Sequence, residues 1–408
     1  MSFINIIGLG YIGLPTALMF AKSGLKVVGT DKNSNLVDSL KSGKLTFEEE
    51  GLEELFNEAL TNGIEFSTEY KKTHTYIIAV PTPYLKGSKK LDPKYVISAV
   101  NSVLDICEKG AVIIIESTVS PGTIDKYIRP EIEKRGYVIG EDVNLLHAPE
   151  RIIPGNMIYE LEHNSRTIGA DNYEVGEKVK ALYSNFCKAE IVVTDIRSAE
   201  MSKVVENTYR DINIAFANEL AKICRTDNMD VYEIIKIANK HPRVNILQPG
   251  PGVGGHCISV DPWFLVGDYP DLTNLILTAR KINDSMPRHV LGRIRDIMRE
   301  HNIKEITKVG LYGLTYKENV DDIRESPTFQ LLERMDEHLA FGVKVFDPYV
   351  KERIVDHQFM NFEDFLNEIE ILVVMVGHDH IKSNMDIIKG KLILDTKNIC
   401  AFEGTYKL

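Results

Sequence analysis

The chain has 408 residues and a formal net charge of −11, and 44% of its residues are hydrophobic and 26% charged. This length exceeds what one hydrophobic core supports, so we expect two or three domains. The negative charge argues against a general binder of nucleic acid or anionic membranes, because both need a basic surface. No apolar run approaches the roughly 18 residues of a membrane span, and no signal peptide is evident, which predicts a cytoplasmic protein without membrane attachment.

The number and spacing of the five cysteines predict neither a disulfide framework nor a zinc site. Their number is odd and no two of them form a C-x-x-C pair, so we expect reduced thiols and no metal. They are Cys107, Cys187, Cys224, Cys257 and Cys400.

Residues 1–195 alternate short apolar runs with amphipathic stretches. The runs are rich in Val and Ile and too short for helices, so strands alternating with helices are predicted, in a parallel sheet covered on both faces. The predicted strands are Ile4–Gly8, Lys26–Gly29, Tyr76–Val80, Val112–Ile115, Asn144–Leu146 and Ile191–Val193.

Beyond this region the pattern changes to helices. The segment Ser198–Arg225 contains no Gly or Pro and repeats apolar residues at helical spacing, which predicts one long helix. More helical sequence continues through Arg280–Arg299, with a glycine-rich loop at Gly250–Gly255. Residues 196–300 are therefore predicted as a mostly helical middle domain.

After this middle domain the strand–helix alternation returns. Residues 301–408 are predicted as a second, smaller α/β domain. Its predicted strands are Lys308–Tyr312, Val343–Phe346, Ile371–Val376 and Lys391–Leu394.

A dinucleotide-binding turn is predicted directly after the first strand. The segment reads Gly8, Leu9, Gly10, Tyr11, Ile12 and Gly13. In a G-x-G-x-x-G turn the first glycine permits the tight bend, the second lets the backbone approach a pyrophosphate, and the third lets helix pack on strand. Asp31 ends the second strand, where a carboxylate can accept hydrogen bonds from ribose hydroxyls. The alternative is an ordinary glycine turn with a surface aspartate.

Two further segments follow predicted strands, Val80–Pro83 and Glu116–Thr118. The carboxyl ends of parallel strands face the ligand crevice, so Thr82 and Thr118 are candidates for the nicotinamide side. A threonine at such a place is equally a common turn former.

The loop before Cys257 is dense in glycine, reading P-G-P-G-V-G-G-H-C from residue 249. Glycines let the backbone come close to a ligand, which favours a reactive cysteine, although a lone cysteine is as often an inert buried residue. Asp261 follows four residues later, but no second ligand pair supports a metal.

Lys203, Asn207 and Arg210 fall at spacings of four and three on the predicted long helix, and so on one face. Spacing alone favours a solvated polar face over a site.

Taken together, these motifs resemble the UDP-glucose/GDP-mannose dehydrogenase family over nearly the whole chain. The markers are Gly8–Gly13, Pro149–Arg151, Lys203 with Asn207, Gly254–Cys257, and Tyr316–Lys317 through Arg324–Pro327. The resemblance implies NAD as cofactor, a UDP-sugar as substrate, and two Rossmann-like doubly wound domains joined by the helical middle domain. It further implies that residues 1–195 bind NAD, that residues 196–300 form a homodimer, and that residues 301–408 bind the UDP-sugar.

Within the family, segments around Pro149–Pro154, His241–Asn245 and Gly252–Phe264 are most similar to the branch that oxidises UDP-N-acetyl-D-mannosamine, for polysaccharide precursors. The UDP-glucose branch has a second glutamate four residues after the Pro-Glu glutamate. This chain has Pro154 at that position, so the role of the second glutamate does not carry over to it.

The resemblance also implies roles for individual residues. Cys257 is the expected nucleophile and Lys203 the expected base, while Asn207 and Asp261 position water. NAD is expected to contact Gly8, Gly10, Tyr11, Ile12, Gly13, Asp31, Thr82, Thr118 and Arg324. The sugar nucleotide is expected to contact Glu150, Arg151, Ile152, Lys203, Asn207, Arg210, His241, Arg243, Gly254, Tyr316, Lys317 and Lys397.

The alternative substrates within the family are UDP-N-acetyl-glucosamine and UDP-glucose. Two rival functions outside it also remain at this point. A hydroxyacid dehydrogenase that performs one oxidation would need neither Cys257 nor residues 303–408, and a non-catalytic NAD or nucleotide-sugar sensor would need no nucleophile.

Overall fold

The computed structural model describes residues 3–85, 87–338 and 340–408. The chain divides into two compact units: the first runs to Glu206 and includes Trp263–Tyr269, and the second comprises Asn207–Pro262 and the chain from Pro270 onward. The α/β class predicted from the sequence is confirmed.

An eight-stranded sheet is the centre of the first unit. Its strands are β1 (Ile4–Ile7), β2 (Val27–Thr30), β3 (Glu65–Ser67), β4 (Thr75–Ile78), β5 (Ala111–Ile115), β6 (Val143–His147), β7 (Arg166–Ala170) and β8 (Ile191–Thr194). The strand order is β3-β2-β1-β4-β5-β6-β7-β8. The sheet is parallel, as predicted, except that β7 runs antiparallel to β6, with Leu146 opposite Ala170. Strand direction is set by the connection rather than by the strand's own residues, so the apolar pattern could not reveal it.

Helices alternate with the strands of this sheet, whose inner strands β1, β2, β4, β5, β6 and β7 are almost wholly buried, as expected of a sheet covered on both faces, while the edge strands β3 and β8 are partly exposed. The helices are α1 (Gly13–Lys22), α2 (Ser34–Lys41), α3 (Leu52–Thr61), α4 (Lys94–Leu104), α5 (Arg129–Lys134), α6 (Met157–His163) and α7 (Tyr173–Tyr183).

The middle of the chain is helical, as predicted. The long helix is α8 (Ile196–Thr226), whose first part belongs to the first unit and the remainder, from Asn207, to the second. It is followed by α9 (Val231–Ala238), α10 (Asp261–Asp268), α11 (Asn274–Asp284) and α12 (Met286–Glu300).

A second sheet, wholly parallel, lies in the second unit. Its strands are β9 (Val309–Tyr312), β10 (Lys344–Phe346), β11 (Gln358–Phe359), β12 (Ile371–Val374), β13 (Leu392–Asp395) and β14 (Tyr406–Lys407), in the order β11-β10-β9-β12-β13-β14. Its helices are α13 (Pro327–Glu337), α14 (Phe362–Asn367), α15 (Asp379–Ser383) and α16 (Met385–Ile388).

Each sheet has a switch point, between β1 and β4 in the first and between β9 and β12 in the second, where the chain continues on the opposite side of its first strand. Ligands of open α/β sheets bind at the carboxyl ends of the strands at such a point. In the part of the chain that the structure describes, no helix combines the length and apolarity of a membrane span.

Candidate active site

The glycine turn after β1 has the geometry that a dinucleotide requires. Gly8 has a φ of 91°, and a Cβ there would stand 2.5 Å from the Ala79 carbonyl oxygen. A Cβ at Gly13 would stand 1.8 Å from the Gly8 oxygen, so α1 packs against the turn only without a side chain. At Gly10 no heavy atom of the described chain lies within 4 Å of a built Cβ, which leaves the backbone open to a ligand. Helix α1 then begins without an acidic residue in its first turn, as suits a phosphate.

Asp31 connects the end of β2 to this turn. Its carboxylate accepts hydrogen bonds from the Leu9 backbone N–H at 2.9 Å and from the Asn33 N–H at 2.8 Å. A carboxylate offers about four acceptor positions, so it retains capacity for ribose hydroxyls. The residues at this turn therefore fit an NAD ribose and pyrophosphate.

The segments after β4 and β5 meet, as their positions in the sheet require. The Ser117 hydroxyl donates to the Val80 carbonyl at 2.7 Å, which joins the two strand ends. Thr82 is buried and Thr118 half-buried.

Glu150, in the Pro-Glu-Arg segment after β6, belongs to a buried ionic cluster that was not predicted from the sequence. Arg166 on β7 contacts Glu150 and also lies 3.5 Å from Glu116, whose carboxylate accepts a hydrogen bond from the Tyr183 hydroxyl at 3.0 Å. Burial raises the pKa of Glu116 to about 7, against the lowering effect of Arg166. The cluster fixes the ends of β5, β6 and β7 relative to one another.

Arg151 is held by protein groups. Its guanidinium donates to the Ser165 carbonyl at 3.0 Å and the Thr167 hydroxyl at 2.9 Å, and it pairs with Glu206 at 2.8 Å. Ile152 beside it is buried in the apolar core. These contacts orient the segment that carries Glu150.

The three polar residues on α8 do not share one environment. Lys203 and Asn207, one turn apart, are 5% and 4% exposed, whereas Arg210 is exposed. The prediction of a solvated polar face is therefore wrong for Lys203 and Asn207. A lysine is seldom buried without a polar role.

The loop before Cys257 is clamped onto the segment that follows β9. A Cβ at Gly254 would lie 2.7 Å from the Glu325 carbonyl oxygen and 2.7 Å from the Tyr316 Cβ. At Gly255 the φ is 83°, a Cβ would lie 2.8 Å from the Tyr316 ring, and the backbone N–H donates to the Arg324 carbonyl at 2.9 Å. Glycine is required here by close approach, which brings together two motifs about 60 residues apart.

Cys257 lies in the turn that leads into α10, which begins at Asp261. The Cys257 carbonyl accepts from the Val260 N–H at 3.0 Å and the Asp261 N–H at 2.8 Å. The Asp261 carboxylate in turn accepts from the Asn207 amide at 2.6 Å, and both residues are buried. A cysteine, a carboxylate and an amide are thus linked within the second unit. Such a set suits a covalent acyl intermediate and its hydrolysis.

The second sheet repeats the arrangement of the first at its own switch point. After β9 the chain turns at Gly313, with φ 103°, and the next N–H, of Leu314, donates to Asp347 at the end of β10 at 2.6 Å. The His378 ring, also buried, lies 3.3 Å from the same carboxylate. Neither Asp347 nor His378 was predicted, although an acid after the second strand of a Rossmann unit is the available signal.

The predicted UDP contacts follow strands of this sheet. Tyr316 and Lys317 follow β9, and Lys397 follows β13, where its ammonium lies 3.7 Å from Glu318. Lys397 also lines a cavity of about 610 Å³ with Lys236 and Lys240, two basic residues that sequence reasoning missed.

His241 and Arg243 are exposed, on a segment fastened to its surroundings by two asparagines. The Asn213 amide donates to the Asn245 carbonyl at 2.7 Å, and Asn239 donates to the Ile246 carbonyl at 2.9 Å.

Arg324, expected to reach NAD, forms an ion pair with Asp322 at 2.6 Å. Within the described residues there is no disulfide. Those residues also contain no group of three or more His, Cys, Asp or Glu side chains that could hold a metal ion.

Two Rossmann-like sheets, a dinucleotide turn and a half-buried cysteine linked to a buried Asp–Asn pair define an NAD-dependent oxidoreductase with a second nucleotide-binding domain. Comparison with known families agrees. The UDP-glucose/GDP-mannose dehydrogenase family matches by its NAD binding domain over residues 2–187, its central domain over 197–285 and its UDP binding domain over 310–401. The chain belongs to the UDP-glucose/GDP-mannose dehydrogenase family, and NAD is its cofactor.

Individual relatives are similar over most of their length. UDP-N-acetyl-D-mannosamine dehydrogenase of Methanococcus vannielii is 44% identical over 408 residues, which cover 97% of this chain and 92% of that protein. The structure of UDP-N-acetyl-mannosamine dehydrogenase from Staphylococcus aureus has 43% identity and a TM-score of 0.88, covering 100% of this chain and 98% of that one. NDP-N-acetyl-D-galactosaminuronic acid dehydrogenase of Ralstonia nicotianae is 38% identical over 409 residues, covering 97% of this chain and 96% of that protein.

Proposed function

We propose that this enzyme oxidises UDP-N-acetyl-D-mannosamine at C6 to UDP-N-acetyl-D-mannosaminuronate, in two steps that together remove four electrons. The observation that carries the proposal is the linkage of Cys257, Asp261 and Asn207 beside the clamped glycine loop. The choice of sugar is supported by relatives of that name at 43–44% identity.

NAD supplies the hydride acceptor for both oxidations, held by the glycine turn, Asp31, Thr82, Thr118 and Arg324. In the first step Lys203 takes the C6 hydroxyl proton, giving the aldehyde. Its burial on α8 supports this role, because a lysine is seldom buried without a polar partner or a functional role.

Cys257 then retains the aldehyde. The thiol adds across the carbonyl to give a thiohemiacetal, and loss of the second hydride leaves a thioester. Water positioned by Asp261 and Asn207 attacks that thioester, which releases the carboxylate and restores the thiol. One alcohol, two NAD⁺ and one water are consumed, and one carboxylate, two NADH and the balancing protons are formed.

We assign three domains with bounds 1–195, 196–300 and 301–408, for NAD, dimerisation and the UDP-sugar. The UDP-sugar assignment rests on Tyr316, Lys317 and Lys397 at the carboxyl edge of the second sheet, together with Glu150, Arg151, Ile152, Arg210 and Gly254. The product would serve a polysaccharide precursor pathway in the cytoplasm, where reduced cysteines are the rule.

We further propose a homodimer built on α8. A stripe of apolar side chains repeats along this helix at spacings of three and four, and its members are exposed or half-buried in one chain: Val205, Tyr209, Ile212, Phe216, Leu220 and Ile223. This spacing suits helix-on-helix packing. In such a dimer the exposed His241 and Arg243 would reach the partner's sugar site.

A substrate panel tests the activity directly. UDP-linked N-acetyl-mannosamine, N-acetyl-glucosamine, N-acetyl-galactosamine and glucose are each incubated with NAD⁺, and NADH is counted per sugar consumed. We expect two NADH and the highest kcat/KM with N-acetyl-mannosamine, because a pocket that hydrogen-bonds the acetamido group penalises its absence by roughly 1–3 kcal/mol. Better turnover of another sugar would overturn the substrate, one NADH would indicate a single oxidation, and none would indicate a sensor.

A further inference from the structure

A cavity of about 420 Å³ lies between the end of α8 and the start of α12, within the second unit. Its lining is dominated by basic side chains. These are Lys222, Arg225, Arg288, His289 and Arg293, with Ser285, Gly292 and Asp296 completing the wall. This is a concentration of positive charge on a chain whose net charge is −11.

Helical spacing directs these charges to one place. Lys222 and Arg225 are three residues apart on α8, while His289 and Arg293 are four residues apart on one face of α12 and Arg288 directly precedes His289. The first turn of α12 contains no acidic residue, although the helix dipole favours negative charge there. Charge repulsion therefore disfavours the whole cluster, and the dipole of α12 disfavours Arg288 and His289, whereas Arg225 in the last turn of α8 is favoured by the dipole of that helix.

The protein supplies little negative charge in return. Asp296 is the one acid in the described lining, and its carboxylate lies 3.7 Å from Arg293 and also contacts Arg299. Glu219 and Glu300 act on the cluster without lining the cavity.

Two of the basic groups have hydrogen-bonding atoms without a partner in the described part of the chain. The Arg293 side chain is only 4% exposed and its Nε donates to the Lys407 carbonyl at 3.3 Å, but its buried Nη2 has no partner among the described residues. The buried Nε2 of His289 likewise has none there. Burial, together with Lys222 and Arg293, lowers the pKa of His289 to about 4. An unpaired buried guanidinium N–H is costly, which indicates a missing acceptor.

We propose that this cavity binds the diphosphate group of a small molecule, at a site separate from those for NAD and the sugar. Planar guanidinium groups match phosphate oxygens in pairs, and two phosphates would balance the four permanent cations. None of the lining residues belongs to the predicted catalytic, cofactor or sugar-binding set. Lys222 lies 15 residues beyond Asn207 on α8, which is roughly 22 Å along the helix.

Titration calorimetry with inorganic pyrophosphate tests the proposal on the full enzyme. Saturating NADH and UDP are present, so that the nucleotide sites are filled. We expect one pyrophosphate per chain, and a Kd at least roughly tenfold weaker in an Arg225→Gln/Arg288→Gln double variant, because each lost charged hydrogen bond is worth about tenfold. Both substituted side chains are exposed, so the variant should fold. Arg295→Gln is the matched control, because Arg295 is exposed on the same helix outside the lining and should leave the Kd unchanged.

Two further arms make the result specific. Proton NMR should show the pKa of His289 rising when pyrophosphate binds, since an anion offsets the neighbouring cations. ADP binding more tightly than pyrophosphate would identify a nucleotide as the source of the diphosphate, and weaker ADP binding would identify pyrophosphate itself. Equal pyrophosphate affinity in the wild type and the double variant would overturn the proposal. The proposal would also be overturned if the wild-type enzyme did not bind pyrophosphate and the double variant changed its oligomeric state. The basic cluster would then face carboxylates of a second copy of the chain.

Discussion

Gly254→Ala is expected to disable the reactive loop while leaving the rest of the enzyme intact. The added Cβ would stand 2.7 Å from the Glu325 carbonyl oxygen and the Tyr316 Cβ, and 3.0 Å from the Pro327 Cδ. These atoms belong to the backbone or lie next to it, so the loop itself must move. Overpacking of this kind costs about 1–3 kcal/mol, which corresponds to a fall in Tm of roughly 2–10 °C for a unit of this size.

The effect on catalysis should exceed the effect on stability. Cys257 is three residues away, and a displacement of about 1 Å at a reacting group costs about 100-fold in rate. We expect kcat for NADH formation to fall by at least that factor, while NAD affinity, to which the first unit contributes the glycine turn, Asp31, Thr82 and Thr118, stays within about twofold.

Gly250→Ala is the matched control. It lies in the same loop, but a Cβ there would meet nothing nearer than the Gly252 oxygen at 3.9 Å. Its Tm and kcat should stay near the wild-type values. If Gly254→Ala retained wild-type turnover, or if both variants lost activity equally, the clamp between the loop and the segment after β9 would not control the site.

Other substitutions address the cofactor, the water step, the buried carboxylate and the dimer. Asp31→Asn should reduce the preference for NAD⁺ over NADP⁺ by roughly tenfold, since the aspartate repels a 2′-phosphate; unchanged kcat/KM ratios for the two cofactors would mean that Asp31 does not face the ribose. Asp261→Asn should preserve a first burst of NADH in stopped flow but slow steady turnover by about 10²-fold or more, and a wild-type steady rate would exclude Asp261 from hydrolysis. Burial raises the pKa of Glu116 from 4.5 to about 7, so the folded state holds that proton more tightly than the unfolded state and stability is lost as pH rises through this window. The Tm of Glu116→Gln relative to that of the wild type should accordingly increase from pH 5 to pH 8. A Tm difference independent of pH would contradict the raised pKa of Glu116. Phe216→Glu should yield monomers by light scattering while Tyr173→Glu, also at an exposed aromatic residue, does not; a stable Phe216→Glu dimer would remove α8 from the interface.

The parts of the fold that depend on local sequence were predictable. Six strands of the first sheet and the long helix α8 appear where the Val/Ile runs and the helical spacing indicate. The glycine turn was equally readable, because its requirements of positive φ at Gly8 and close packing at Gly13 act on neighbouring residues.

The missed elements had atypical sequences. Strand β3 has one apolar residue, Phe66, and β7 begins with Arg166, which a buried strand does not normally contain. Arg166 is acceptable there only because Glu150 and Glu116 lie beside it, 16 and 50 residues away in the chain. Such pairing is invisible before the strands are assembled.

The site was predictable in its members but not in its geometry. Spacing on α8 grouped Lys203, Asn207 and Arg210, and the structure separates the buried pair from the exposed arginine. The hydrogen bond between Asn207 and Asp261 spans 54 residues, and no local pattern predicts it. Roles for these residues came from resemblance to the family and remain predictions.

The covalent role of Cys257 is the central claim, and mass spectrometry of a stalled intermediate tests it most directly. Cys257→Ser is incubated with UDP-N-acetyl-D-mannosamine and NAD⁺, digested and mapped, because an oxygen ester at this position should hydrolyse more slowly than the natural thioester. We expect a sugar-acid adduct on residue 257 and almost no net uronate from this variant. Alanine variants of Cys107, Cys187, Cys224 or Cys400 should form uronate normally and carry no adduct. Absence of the adduct from a Cys257→Ser enzyme that still forms two NADH per sugar at the wild-type rate would contradict the account.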